Sequence, residues 1–404
     1  MEIAIIGGGA SGLAAAHYLS RNGHRVSLFE RAAQLGGHIR TVNRNVLAGS
    51  LAPSRYLEAG VVEFSSAFTQ FEALMAELDV PLQRIEVGTA MFRRDGRRYL
   101  SRGMIKRNAP GLAAVVERAR LERLIAGAVP LWLRSHGRQL EGRPLADCLR
   151  PGQPRDTWLR LLTMYCYSTP YAAVGGIPAG FALPPLRRYM WRDWKRMPGG
   201  VSSYVDRIVE RLNGEVVVSA GPVRAVRSAR GVALHWPDGR TRRFDKLVLA
   251  APPDQVLALL ADPRPDEQRW FAPWRANHIT TTVHSDGSLY ERYGIARPSE
   301  FDFFETGSGW GYNACLNQIC GLTGATRYFL AFGLDDAIAP ERVVARVAHH
   351  TPHYDVAALR SRRQVIACNG FHHTYHAGAW LYDGLHEGAI RSGRAVADLI
   401  GPAG

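Results

Sequence analysis

Ile3 to Ile6 are a short apolar run ahead of a glycine-rich turn, the pattern of a strand buried in a parallel sheet. Leu13 to Leu19 follow as a helix, and Arg25 to Phe29 repeat the strand pattern. These residues predict one β-α-β unit. Phe68, Phe71, Leu74, Met75 and Leu78 recur at helical spacing, which predicts a helix over Ala67 to Leu78. Residues 108–165 read as mostly helical, in segments Leu112 to Ala126, Val129 to Leu133 and Trp158 to Tyr165, with a break at Pro151-Gly152-Gln153-Pro154. Residues 214–251 change character. Val216 to Ser219, Val223 to Val226, Val232 to Trp236 and Arg242 to Phe244 read as strands, and Pro237-Asp238-Gly239-Arg240 turns between the last two. Lys246 to Ala250 is an apolar strand stopped by Pro252. Ile279 to His284 and Tyr328 to Phe332 are further candidates. The chain has no repeat and no low-complexity tract.

The turn after the first strand carries chemistry. Gly7, Gly9 and Gly12 fit Gly-x-Gly-x-x-Gly. The first allows the tight turn, the second lets backbone approach a pyrophosphate, and the third lets the helix pack on its strand. The helix N-terminus offers free N–H groups and positive dipole to phosphate. Glu30 ends the second strand, where a carboxylate accepts adenosine ribose hydroxyls and repels a 2′-phosphate, disfavouring NADP. In Leu35-Gly36-Gly37-His38-Ile39-Arg40-Thr41, two glycines permit close passage of a ligand and Arg40 is a fixed cation near phosphate. A surface turn with a solvated arginine would read the same way.

The 404 residues can bury a large core and suggest two or more domains. The apolar share of 46% is that of a globular protein. A net charge of +14 and a pI of about 9.9 fit either a solvated arginine-rich surface or an anionic partner. No nucleic-acid motif accompanies the charge, so nucleic acid is not expected as a partner. Five cysteines without a Cys-x-x-Cys suggest a reduced, cytoplasmic protein. Ile3 to Leu19 lack a basic leader and are broken by glycines, unlike a signal peptide. No apolar run is long enough to cross a bilayer.

The Gly-Gly-x-x-Arg-Thr extension resembles that of flavoproteins in the FAD-dependent amine-oxidase superfamily. Two further segments carry the resemblance. Tyr56 to Ser66, with Glu58-Ala59-Gly60 in place of Asp-x-Gly, is similar to the stretch that passes the flavin ring. His376-Ala377-Gly378-Ala379-Trp380 and Gly384 to Gly393 are similar to the final strand, loop and helix. The nearest likeness is to a bacterial branch of NAD/FAD-binding, amine-oxidase-like proteins with Cys-Gly-Ala-Trp and then Gly-Phe-His-Glu-Asp-Gly-Leu. Met197-Pro198-Gly199-Gly200, Tyr204, Asn317 and Gly321-Leu322 share that likeness.

The resemblance implies an α/β fold: a Rossmann-like FAD-binding domain of glutathione-reductase type with an inserted α+β substrate domain. Residues 1–66, 199–252 and 361–404 would form the FAD domain. Residues 67–198 would be a mostly helical part of the substrate domain and 253–360 its β-rich part. Non-covalent FAD would lie against Gly7, Gly9, Ala10, Ser11, Gly12, Glu30, Arg31, Gly36, Gly37, Arg40, Gly60, Val61 and Val223. At the flavin end it would meet Gly378, Ala379, Trp380, His386, Glu387, Gly388 and Ala389. The last helix would direct its N-terminus at the flavin edge that gains negative charge on reduction. His386 would add a proton there or make a structural hydrogen bond.

Two departures constrain the chemistry. A flavin-facing aromatic expected after Gly384 is Leu385, and the lysines are Lys106, Lys195 and Lys246, none in the 280–320 segment where amine oxidases carry one. Hydride removal from carbon of an apolar or carrier-bound small molecule is therefore expected, as a desaturation or related isomerisation. Amine oxidation and a redox-inactive FAD-binding scaffold are the alternatives. Tyr312, Asn317, Tyr382 and His386 are the candidate catalytic groups, with Tyr165 and Tyr167 beside them; each also suits a packing or turn role. No metal is expected: His349-His350-x-x-His353 and His372-His373-x-x-His376 lack completing ligands, and in a strand His372 and His376 would share a face. The run Arg187 to Arg196 suits a solvated linker capping the substrate domain, or else an acidic carrier protein or anionic membrane surface, which would make the protein peripheral to a membrane.

Overall fold

A computed structural model describes residues 1–48, 51–134, 140–150, 152–189 and 192–403. At its centre three distant segments of chain share one five-stranded parallel sheet. The first apolar run is β1 (Glu2–Ile6), which pairs with β2 (Arg25–Phe29) on one side. On the other side it pairs with β4 (Lys246–Leu249). The edges are β3 (Gly214–Val217) and β5 (Thr374–His376). Ile3, Ile5, Val26, Leu28, Leu247 and Val248 are fully buried, as a sheet covered on both faces requires. Helix α1 (Ala10–Arg21) starts earlier than the apolar spacing predicted, because Gly9 caps it and already accepts the Leu13 N–H at 2.9 Å.

Helix α2 (His386–Ile400) packs along α1, and glycine makes the contact. A Cβ on Gly393 would lie 2.6 Å from the Ser11 carbonyl oxygen. Both helices therefore bring their first turns to the same end of the sheet. A three-stranded meander, Arg224–Ser228, Gly231–His235 and Thr241–Phe244, joins this domain. Arg227 of the meander reaches both Glu267 carboxylate oxygens at 2.6 and 2.9 Å, and the two side chains are nearly inaccessible. That pair ties the meander to the helix Pro265–Phe271.

The second domain is a seven-stranded sheet in the order Val343–His353, Arg275–His284, Phe329–Phe332, Trp310–Cys315, Phe301–Glu305, Thr89–Phe92, Arg98–Leu100. It is antiparallel except where Phe301–Glu305 meets Thr89–Phe92. The last two strands fall in the stretch expected to be mostly helical. At three and four residues they are too short to show a period of two. Helices Leu112–Arg134, Pro154–Tyr167 and Ala179–Tyr189 flank the sheet. The first is continuous across Pro130, although the sequence suggested two segments. Pro154 begins the second helix, where a missing N–H costs nothing; Pro151 lies outside the described residues. His372 and His373 do not extend the last strand, as the face-sharing argument assumed. They turn in the left-handed region at φ 49° and 58°. Among the described residues no helix is long and apolar enough to cross a membrane.

Burial alone would raise the Glu267 carboxyl, but hydrogen bonds from Arg227 and its charge outweigh burial and hold it at about 2. The stabilisation is present above the unfolded value near 4.5 and is lost as pH falls toward 2. Glu267→Ala should cost about 3 kcal/mol at pH 7 by leaving Arg227 underpaired. Urea unfolding checks both statements: the variant's deficit should shrink below pH 4.5 as the wild type loses the same interaction.

Candidate functional site

A single cavity of about 1280 Å³ runs from the glycine turn of the parallel sheet into the second domain. At one end the wall is backbone. Gly7, Gly9, Ala10 and Ser11 line it from the β1–α1 turn, and Gly36 and Gly37 face them. Gly36 donates its N–H to Gly8 O at 2.8 Å, so the two loops lie side by side. Gly37 has φ +59° and a Cβ there would sit 3.1 Å from Gly9 Cα. Glu30, Arg31 and Val223 line the same end. Glu30 accepts the Gly8 and Ala32 N–H groups at 2.7 and 2.8 Å, which fixes its carboxylate at the tip of β2.

Arg40 lines the cavity beside Gly36 and Gly37. Its hydrogen bonds go to the carbonyls of Leu35 and Ile39, both at 3.2 Å, and to no carboxylate. Burial pulls its guanidinium below the usual range, with Glu30 opposing. A partly buried cation with only neutral partners is a site for an anion. Farther in, Trp380 Nε1–H is buried on the cavity wall without a hydrogen-bond partner. Its indole is clamped against Trp274 and Phe271, with centroids at 5.0 and 5.9 Å. Glycine is needed at position 378, because a Cβ there would meet Nε1 at 2.2 Å. The glycine channel, the ribose-side acid, the arginine and the spare indole donor fit FAD laid from β2 toward α2.

Gly60, Val61, Gly378, Ala379, His386 and Ala389 also line the cavity. Three residues expected against the cofactor do not. Gly12 lies beneath the floor, where a Cβ would be 1.9 Å from Gly7 O, so its role is helix packing. Glu387 points away and caps the helix Thr69–Glu77, accepting the Gln70 and Phe71 N–H groups at 3.0 Å and the Thr69 hydroxyl at 3.2 Å. The Gly388 N–H goes to Asp383 Oδ1 at 3.0 Å rather than into the cavity. The first-turn N–H groups of His386 and Glu387 have no partner among the described residues.

His386 is enclosed by Phe64 and Phe71, with its Nε2 2.7 Å from the Tyr204 hydroxyl. Burial, with His38 adding to it, drives its imidazole down to about 3. It is a neutral hydrogen-bonding group, and any positive potential at this end comes from the helix. Tyr312 lines the cavity, but Asn317 and Tyr382 do not. The Asn317 amide holds its own loop, donating to Thr326 O and accepting from Tyr328 N. Arg391 covers the Tyr382 ring. Of the basic-aromatic run, Tyr189, Arg192, Asp193 and Trp194 form part of the cavity wall, so the segment is not merely a solvated linker; Met190 and Trp191 lie outside the described residues.

One acid was missed. Glu63 interrupts the apolar stretch Val61-Val62-Glu63-Phe64, and that interruption was the available signal. It lies buried on the wall of the cavity, two residues beyond Val61. Its Oε1 accepts the Tyr165 hydroxyl at 3.0 Å and its Oε2 has no partner. Burial raises the carboxyl to about 8 against the Tyr165 hydrogen bond. Tyr165 stacks on Phe301 at 4.5 Å and meets Tyr312 edge-on at 5.1 Å. The other acids on the wall are Glu30 at the glycine end and the exposed Glu86 and Asp193 at the opposite rim. Leu121, Leu124, Ile125, Trp158, Leu162 and Leu330 make the intervening wall apolar, and no lysine lines it. Among the described residues, no group of three or more His, Cys, Asp or Glu is placed to hold a metal ion.

The model of the flavin-containing amine oxidoreductase family matches residues 10–282. The chain belongs to that family of flavin-containing proteins. It is 25% identical over 315 residues to a Mycobacterium tuberculosis protein named as a flavin-containing monoamine oxidase, AofH. That match covers 69% of this chain and 63% of the relative, so the chain spans under two thirds of its curated relatives. Among solved structures, putrescine oxidase bound to putrescine superposes with a TM-score of 0.67 at 16% identity, covering 99% of each chain. A CLA-producing fatty acid isomerase from P. acnes gives the same TM-score at 16% identity, covering 98% of this chain and 97% of its own. Both likenesses are of fold.

Arg40→Gln should weaken FAD binding about tenfold, the effect of losing one charge-assisted hydrogen bond. Titration of FAD into flavin-free protein, followed by flavin fluorescence, measures it. Arg240→Gln, on an exposed hairpin turn, should leave binding unchanged.

Proposed function

We propose that the protein removes a hydride from carbon of a largely apolar small molecule, in a desaturation or a related isomerisation, with Glu63 handling the accompanying proton. The observation that carries this reading is the Glu63–Tyr165 pair, in which Glu63 is the one buried acid among the described residues that line the cavity and Tyr165 stacks on Phe301. Bound FAD, held non-covalently, would supply the two-electron acceptor. Apolar side chains from helix Leu112–Arg134 and strand Phe329–Phe332 would fix the substrate and exclude water. Tyr165 holds Glu63 Oε1, and the unpartnered Oε2, turned toward the cavity, would take the proton from the carbon next to the one that loses hydride. The double bond forms between the two carbons, and the proton rests on the carboxyl. In an isomerisation the same carboxyl would return the proton at a different carbon and the hydride would come back from the reduced coenzyme, so that the substrate is not oxidised overall.

A base raised to about 8 matches this task, because its protonated form is stable in the dry cavity at neutral pH. The same carboxylate would also pair with a substrate ammonium, which is the specific argument for amine oxidation as the second reading. The two separate experimentally. Anaerobic bleaching of the flavin absorbance by a panel of unsaturated fatty acids and primary amines identifies the class. Under the first reading a fatty acid either bleaches it by desaturation or is recovered with its double bond moved while the flavin stays oxidised. Glu63→Gln should then slow either reaction by 10²–10⁴-fold while flavin content stays unchanged. In the wild type the rate should climb with pH toward about 8, where the carboxylate form appears, and that rise should vanish in the variant. Bleaching by amines alone, with substrate affinity lost in Glu63→Gln, would establish the second reading instead.

A further inference from the structure

We infer that the outer face of helix Leu112–Arg134 docks on an anionic lipid bilayer. Leu112, Val115, Val116 and Ala119 recur at the i, i+3, i+4, i+7 spacing of an apolar stripe. On this helix that stripe faces solvent: Leu112 is 85% exposed, Val115 64% and Val116 51%. The stripe continues through the exposed Ala126 and Val129. The opposite face is an ordinary buried one, with Leu121, Leu124 and Ala128 packed inward. A helix apolar on both faces needs a second apolar environment.

The charge around the stripe selects the occupant. Arg118 and Arg123 on the helix, and Lys106 on the preceding helix Arg102–Asn108, are exposed and make no ion pair among the described residues. The nearby acids Glu117 and Glu122 are already engaged, by Arg98 and Arg120 and by Arg102 respectively. The patch is thus an apolar stripe over the first turns of the helix, with Arg118 and Lys106 beside it and Arg123 following Ala119 along its line, a combination that suits an interfacial helix on anionic lipid. An acidic protein partner would satisfy the cations and leave Leu112, Val115 and Val116 in water.

The patch also adjoins the cavity. Arg102 and Gly103 are exposed and line its rim, and Arg102 is paired with Glu122 of the same helix at 2.9 Å. Leu121, Leu124 and Ile125 line the cavity from the helix's inner side. One helix therefore has its outer face toward the bilayer and its inner face toward the site, a short path for an apolar molecule leaving lipid. This last step rests on the apolar-substrate reading, whereas docking itself does not.

Flotation of the purified holoprotein with phosphatidylcholine vesicles, with and without phosphatidylglycerol, tests it. The protein should float with the phosphatidylglycerol vesicles and be released by high salt. Leu112→Glu/Val116→Glu should abolish flotation, and Lys106→Gln or Arg118→Gln should weaken partitioning about fivefold each. All four residues are exposed, so circular dichroism and flavin content should match the wild type. The inference is overturned if the protein stays below both vesicle types, or if Leu112→Glu/Val116→Glu floats like the wild type. It is equally overturned if these residues instead mediate a dimer in lipid-free solution, or capture of an acidic carrier protein. Flotation together with flavin bleaching by amines alone would leave docking standing and remove the apolar-substrate reading.

Discussion

Backbone-to-backbone contact between α1 and α2 governs the rest of the molecule. Gly12 sits on the Gly7 carbonyl and Gly393 on the backbone of Ser11 and Ala15, at separations that leave no room for a Cβ. Two helices separated by most of the chain are thereby brought together with their first turns toward one cavity. Neither terminus alone makes a coenzyme site. Together they offer N–H groups and positive dipole at both ends of an elongated ligand.

Around that contact the polar groups divide between structure and ligand. Glu387 and Asp383 are spent on helix ends, and the Arg227–Glu267 pair fastens the meander to the helix Pro265–Phe271. Arg40, Trp380 Nε1 and Glu63 Oε2 remain, each on the cavity wall and each short of a partner suited to it. Buried polar groups in folded proteins are ordinarily satisfied. Trp380 Nε1 and Glu63 Oε2 have no partner and Arg40 donates only to carbonyls, so these are the points at which a bound coenzyme and substrate would complete the hydrogen bonding.

The second domain contributes dryness more than charge. Its sheet supplies Phe301, Tyr312 and Leu330, and its helices supply Leu121, Leu124 and Leu162. Burial in this setting drives the Glu63 carboxyl up to about 8, and burial among Phe64, Phe71 and Tyr204 at the start of α2 drives the His386 imidazole down to about 3. Both groups are uncharged at neutral pH for one reason: a low-dielectric wall disfavours whichever form carries charge.

The cofactor half of the site was legible in the chain, because its parts are local. A glycine motif, the acid at the end of the next strand and the Gly-Gly-x-x-Arg extension occupy residues 7–40, where spacing along the chain fixes spacing in the fold. Side-chain direction was not legible there: Glu387, Gly388 and Gly12 sit in the right motifs yet face away from the cavity. The substrate half was decided by tertiary structure alone. Phe301 and Tyr312 pack on Tyr165, and Tyr165 meets Glu63, only because a helix and two strands far apart in sequence converge there. No local period records such convergence, since it depends on how the sheet and helices pack and not on any one segment's pattern.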